Sequence, residues 1–167
     1  YQELFASNKK NDEYFFGVVR TLSALDQYEP VLELTIEQMK IKNTSDLHVI
    51  AATAALKSGK MELSNKFWKS AVESCNKSSI CIAEIADNQT SLKLFSSAIE
   101  TYLSARKYDA DNYAFTDELS RLYIASGNVE QGVKETIKLF LLTKNYNVSQ
   151  GRLAALMTTS ESQNTIS

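Results

Sequence analysis

A chain of 167 residues with 44% hydrophobic content is long enough for one ordinary domain with a real core. Its 23% charged residues and net charge of −2 exclude a disordered segment and a basic nucleic-acid surface, which needs clustered Lys and Arg against phosphates. Five Gly and one Pro are too few for the turns of a many-stranded sheet protein, so the composition leans all-α.

No apolar run approaches the roughly 20 residues that span a bilayer. Tyr1 opens into an amphipathic stretch instead of a signal peptide. The first residue is not Met, so a removed leader or a larger upstream part is expected. Compartment is left open, with a cell-envelope (periplasmic) location favoured slightly over cytoplasm. Tyr1 to Ala6 reads as the tail of a preceding helix.

From Asp12 onward the sequence repeats. Units starting at Asp12, Ser45, Ser79 and Tyr113 are separated by roughly 33, 34 and 34 residues, the period of helix–turn–helix solenoids. Each unit splits into two amphipathic halves, A and B. In the first, helix A is predicted over Asp12 to Leu25, with Phe15, Val18, Val19 and Leu22 at helical spacing. Asp26-Gln27 breaks it, and helix B runs from Tyr28 to Ile41 with Pro30 in its first turn. Its inner face is Val31, Leu34 and an unusual Gln38, and Asn43-Thr44-Ser45 caps the next helix.

The second unit pairs a helix A over Asp46 to Lys57, apolar nearly all round, with a helix B over Met61 to Asn76 carrying Phe67, Trp68, Ala71 and Val72. Gly59 separates them. The third pairs Ser79 to Thr90 with Leu92 to Tyr108, whose inner residues are Phe95, Ala98, Tyr102 and Ala105; no Gly marks this corner. The fourth pairs Asn112 to Ser126, with Phe115, Leu119, Leu122 and Tyr123, with Val129 to Thr143, with Val133, Ile137 and Phe140; Gly127-Asn128 turns the chain. The expected organisation is one repeat domain over residues 1–158 (units 12–44, 45–78, 79–112 and 113–146, cap 147–158) and a polar tail over 159–167.

These positions resemble the tetratricopeptide repeat. That pattern wants a large–small pair and an aromatic in helix A, Gly at the turn, and small, aromatic and small residues in helix B. Unit two supplies Ala51-Ala52, Gly59, Ser64, Trp68 and Ala71; unit three supplies Ile85-Ala86, Phe95, Ala98, Tyr102 and Ala105. Unit four supplies Leu119-Ser120, Tyr123, Gly127, Gly132 and Leu139. Unit one has Val18-Val19, Tyr28 and Val31, but Thr35 and Gln38 where an aromatic and Ala are usual, and every unit lacks the closing Pro. The segments AIETYLSARK and DELSRLYIASGNVE also look like bacterial repeat proteins of this type. The resemblance implies a right-handed all-α solenoid of about four helix–turn–helix repeats, closed by a C-terminal capping helix.

It further implies that the A helices line a groove for an extended peptide or partner helix. Carried over position by position, the groove residues are Glu13, Phe16, Arg20 and Ser23, then Asp46, Val49, Thr53 and Leu56 with Lys57 at the rim. Ile80, Ala83, Asp87 and Thr90 follow from unit three, and Ala114, Asp117, Arg121 and Ile124 from unit four. The Lys/Asn arrangement with which chaperone-type repeats clamp a C-terminal carboxylate does not fit these positions. Arg20, Arg121 and Lys57 are the residues available to acidic partner groups.

Other chemistry is thin. The one His, His48, sits in an apolar helix and reads as packed instead of catalytic. Asp109 and Asp111 read as turn and cap residues, because a calcium loop would need a Gly and a terminal Glu. Cys75 and Cys81 lack CxxC spacing and are expected to be unpaired and partly buried, a corner disulfide being the alternative. Asn43, Asn76, Asn88 and Asn147 match the Asn-x-Ser/Thr pattern, which chance explains in so Asn- and Ser-rich a chain. No metal, cofactor or catalytic set is expected. The leading expectation is a protein-binding scaffold with no nucleic-acid partner and no membrane insertion. The alternative is a self-assembly module stacking end to end through Tyr1, Leu4 and Phe5, with a base-reading RNA array more remote and an enzyme more remote still.

Overall fold

The computed structural model describes residues 12–111 and 113–143, together with Gln150, Gly151 and Ala154. Every regular element among the described residues is a helix. The chain divides between Asn76 and Lys77 into two compact units.

The first unit holds α1 (Asp12–Ala24), α2 (Tyr28–Met39), α3 (Ser45–Lys57) and α4 (Met61–Ser74), each packed on its neighbour in sequence. Phe15, Val18, Val19 and Leu22 form the buried stripe of α1, as their spacing predicts. Val31 and Leu32 of α2 and Leu47, Ala51, Ala54 and Ala55 of α3 complete the core. The pair α3–α4 closes on small residues. Ala51, Ala52, Ala55 and Ala71 are wholly inaccessible, and the buried Ser64 Oγ donates to the Ala52 carbonyl at 2.8 Å. Side chains this small let two helix backbones approach closely. The Thr44 side chain caps α3 by accepting from Leu47 N.

The second unit holds α5 (Ser79–Ser91), α6 (Phe95–Lys107), α7 (Thr116–Ala125) and α8 (Val129–Thr143). Ile82, Ile85 and Ala86 of α5 are buried, as are Ala98, Tyr102 and Ala105 of α6. In the pair α7–α8, Leu119 and Ser120 are wholly buried, and the Ser120 and Thr136 hydroxyls bond each other at 2.9 Å.

One turn recurs in both units. The residues between A and B helices are Leu25-Asp26-Gln27, Ser58-Gly59-Lys60, Leu92-Lys93-Leu94 and Ser126-Gly127-Asn128. The middle residue is left-handed each time, at φ 54, 75, 60 and 76. The residue after it reaches back five positions: Gln27 N to Leu22 O, Lys60 N to Ala55 O, Leu94 N to Gln89 O, Asn128 N to Tyr123 O. This is the Schellman motif, which satisfies carbonyls that a helix end leaves open. The corner without Gly therefore has the same geometry as the others, with Lys93 in the left-handed place.

Three expectations are corrected. The helix predicted from Asn112 begins only at Thr116. Asp109 and Asp111 draw the chain into turns first: Asp109 Oδ1 accepts from Asp111 N at 3.0 Å and Asp111 Oδ1 from Tyr113 N at 2.8 Å. Phe115 then takes φ 60 as the residue before α7. On α8, Ile137 and Phe140 are not the inner face, being 48% and 37% exposed. Gly132 and Leu139, the positions that the repeat pattern names, are buried there as expected, joined by Thr136 and by Glu135, whose charge has an internal partner in Arg106. Finally, Cys75 and Cys81 are disulfide-bonded, not unpaired. The expected contacts of Tyr1, Leu4 and Phe5 and most of the capping segment lie outside the described residues; Gln150, Gly151 and Ala154 are helical.

Candidate partner-binding cleft

A cleft of about 240 Å³ opens in the second unit, lined by Asp87 and Thr90 of α5, Phe95 and Tyr102 of α6, and Glu118, Arg121, Leu122 and Ala125 of α7. The spacing explains why these meet. Asp87 and Thr90 are one turn apart, Phe95 and Tyr102 two turns apart, and positions 118, 121, 122 and 125 form one stripe of α7.

Tyr102 anchors the floor. It is only 3% exposed, its hydroxyl donates to Asp87 Oδ1, and its ring lies 5.5 Å from that of Phe115. Burial, with the hydrogen bond to the Asp87 carboxylate behind it, raises the Tyr102 phenol far above its ordinary value. The hydroxyl is therefore a fixed donor that orients Asp87. At the rim, Arg121 Nη2 lies 3.0 Å from Asp117 Oδ2 and 3.8 Å from Glu118 Oε1, with the arginine side chain 61% exposed. The cleft thus combines an aromatic and aliphatic floor with a charged edge in which carboxylates outnumber the guanidinium.

Of the residues expected in a groove, Asp87, Thr90 and Arg121 line this cleft, and Asp117 borders it through Arg121. Ala83 is buried at 8% exposure and lines nothing here. In the first unit, Glu13, Phe16 and Arg20 form an exposed face of α1. Val49 and Thr53 are half-buried along α3, with Lys57 exposed at its end. Tyr102 and Leu122 are buried, as their place among the inner residues predicts, and with the half-buried Phe95 they also form the floor of the cleft; Glu118 and Ala125 are lining residues outside the expected groove set. The i, i+3, i+4, i+7 stripe of α7 was the signal that would have found the last two.

The remaining candidates are structural. His48 is buried with its ring 6.1 Å from that of Phe67, and burial lowers its imidazole pKa against the opposing pull of Glu73. Asp109 Oδ2 accepts from the Ser79 hydroxyl at 2.8 Å, which adds to its role as a turn residue. Two Asn-x-Ser/Thr matches abut helix caps: Thr44 follows Asn43, and Ser78, the third residue of the Asn76 match, accepts from Cys81 N at 3.3 Å. Asn88 Nδ2 donates to the Glu84 carbonyl at 2.8 Å, and Asn147 lies outside the described residues. Among the described residues, no group of three or more His, Cys, Asp and Glu is placed to hold a metal ion. No helix among them is long and apolar enough to cross a membrane.

No protein-family model matches the chain, and no curated protein matches it either. Solved structures do. A chain in the structure of Naa15/Naa10 bound to HypK-THB is 20% identical with a TM-score of 0.53, over 89% of this chain and 23% of that one. A MamA RS-1 ArsTM double mutant is 14% identical with a TM-score of 0.48, over 93% of this chain and 98% of that one. The chain spans less than a quarter of the first neighbour's length. At this identity the first likeness establishes the fold: a tetratricopeptide-like helical repeat, an all-α solenoid.

Proposed function

We propose that the chain is a protein-interaction scaffold that holds an extended peptide or a partner helix along its A helices, without catalysis, cofactor or metal. The observation that carries this reading is the cleft itself: two A helices, α5 and α7, together with α6 leave a recess with an apolar floor and a polar rim. Such a recess suits a side chain of a partner backbone lying across it. The similarity to a chain from an assembly of Naa15 and Naa10 bound to HypK-THB supports the reading. The acidic balance, net charge −2, argues against nucleic acid.

Photo-crosslinking residues at Thr53 and Arg121, on A helices, and at Lys69 and Glu100, exposed on B helices, test it. Partner adducts are expected at the first two positions. Adducts confined to Lys69 and Glu100, or spread equally over all four, refute the A-helix surface.

A second reading, self-association, is favoured by Ile137, Leu141 and Leu142, which are 48%, 68% and 49% exposed on α8. Sedimentation of Leu141→Lys against the parent chain tests it. A concentration-independent monomer for the parent chain removes it.

A further inference from the structure

Resting on the scaffold reading, we infer that the cleft between α5, α6 and α7 is an anchor pocket for one cationic side chain, arginine or lysine, of the bound protein partner. Three observations select that occupant.

The first is size. At about 240 Å³ the cleft is smaller than the roughly 300–1,000 Å³ of small-molecule sites, and it suits a single long side chain. The second is the layering of its lining. Phe95, Tyr102, Leu122 and Ala125 supply carbon surface, along which the methylene stem of Lys or Arg lies while its head stays at the polar edge. The aromatic rings add attraction for a cation.

The third is charge. Asp87 and Glu118 both line the cleft, and Asp117 stands behind Arg121. The guanidinium of Arg121 leans toward Asp117, 3.0 Å away, more than toward Glu118 at 3.8 Å. Glu118 is thereby only loosely paired. Asp87 spends Oδ1 on Tyr102, which fixes its carboxylate in place and leaves Oδ2 for a charge-assisted bond from a ligand. An acidic side chain entering here meets two carboxylates against one guanidinium, that of Arg121, which is already drawn to Asp117. A neutral aliphatic one desolvates them with nothing in return. A planar guanidinium has donors on two edges, so that it offers a bond to each carboxylate.

The test uses three acetylated, amidated pentapeptides, Ala-Ala-Arg-Ala-Ala and its norleucine and glutamate counterparts, titrated into the isotope-labelled chain. The arginine peptide is expected to shift the backbone amides of Asp87, Thr90, Glu118 and Leu122, and added salt is expected to weaken it. The double variant Asp87→Asn with Glu118→Gln is expected to weaken it at least about tenfold. The amide oxygen introduced by Asp87→Asn still accepts the Tyr102 hydroxyl, and an unchanged thermal melt of the variant shows that the fold is kept. Equal shifts from the norleucine or glutamate peptide overturn the cationic pocket, as do arginine-peptide shifts that map elsewhere on the A helices. Those outcomes leave the scaffold reading standing. No shift from any of the three peptides overturns the pocket, and crosslinking at Thr53 and Arg121 then decides the scaffold reading separately.

Discussion

Arg106 holds Glu135 with both ends of its guanidinium: Nη1 donates to Oε1 at 3.1 Å and Nη2 to Oε2 at 3.0 Å. The two side chains are only 12% and 5% exposed. The same guanidinium donates Nε to the Ala114 carbonyl at 2.7 Å and Nη2 to Thr116 Oγ1 at 3.2 Å. One residue of α6 thus ties down α8 together with Ala114 and Thr116 at the entry to α7, and with them the wall of the cleft.

Removing one partner of a buried ion pair strands the other. Arg106→Ala is expected to destabilise the second unit by about 3 kcal/mol, near the lower end of the range for a broken buried pair. The low figure is expected because Lys138 Nζ also reaches Glu135 Oε1, at 2.7 Å. The double replacement Arg106→Met with Glu135→Leu leaves no orphan charge and is expected to cost clearly less than Arg106→Ala alone. Urea unfolding measures both. If the double variant is the less stable one, the pair contributes through its attraction and not through the penalty of an unpaired carboxylate.

Acid should act on the two units in different pH windows. Burial by itself pushes the Glu135 carboxyl up, but hydrogen bonds from Arg106 and Lys138 outweigh it and hold the folded pKa below the ordinary 4.5. A depressed carboxyl stabilises the fold above the unfolded pKa, and that contribution is lost as pH falls through the folded value. His48 follows the same sign from another cause. Burial holds its folded pKa below 6.5, so the unfolded chain takes up a proton first and stability falls as pH drops below that value. Stability against pH is expected to decline from about pH 6.5 in the parent chain. In His48→Phe the decline is expected only in the carboxylate range. An unchanged onset in His48→Phe refutes the assignment.

The four A-to-B turns place Asp26, Gly59, Lys93 and Gly127 in the left-handed region. A non-Gly residue costs roughly 1–2 kcal/mol there, part of which glycine gives back as unfolded-state entropy. Lys93→Gly is therefore expected to stabilise the chain by about 0.5–1 kcal/mol. Gly59→Ala is expected to destabilise it by a similar amount. A Cβ at Gly59 meets nothing within 4 Å, so that cost is purely conformational. Thermal melts of the two variants should move in opposite directions. A Lys93→Gly chain that melts no higher than the parent removes the strain argument.

The repeat was legible because its most regular features are backbone demands. The left-handed residue recurs at steps of 33, 34 and 34 from Asp26 to Gly127, and the small residues Ala71, Ala98 and Ala105 sit where helices approach. The aromatic position of the pattern was harder to read. It runs 35, 68, 102, 136 at the same steps, yet holds Thr at both ends. Those threonines are wholly buried because each hydroxyl bonds the carbonyl four residues back, Thr35 to Val31 and Thr136 to Gly132, both at 2.7 Å. The start of α7 was misplaced because a sequence window counts apolar residues, whereas Asp109 and Asp111 decide the matter through hydrogen bonds to single amides. The partner of Glu135 was invisible for a related reason. Arg106 is 29 residues away, and a charge on a helix reads as solvated until its partner is seen. The cleft was half legible: Asp87, Thr90 and Arg121 followed from the repeat, but Tyr102 and Leu122 are core residues that also face the cleft, a double role that periodicity does not reveal.

The seam between α5 and α6 gives the most direct check of the repeat register. Ala86, Ala98 and Ala105 are all wholly inaccessible, while Glu100, on the same helix as the last two, is exposed. Enlarging a side chain at a closed contact forces neighbours off their rotamers, at a cost of typically 1–3 kcal/mol. Ala98→Leu is expected to fall in that range, and Ala105→Leu likewise. Glu100→Leu places the same side chain at a solvent position and is expected to stay within about 0.5 kcal/mol of the parent. The comparison separates packing from helix propensity, because Leu is a good helix former at all three sites. If Ala98→Leu unfolds in urea with the midpoint of Glu100→Leu, position 98 is not at the closest approach of the two helices. The register that places Tyr102 on the floor of the cleft, one turn further along α6, then fails with it.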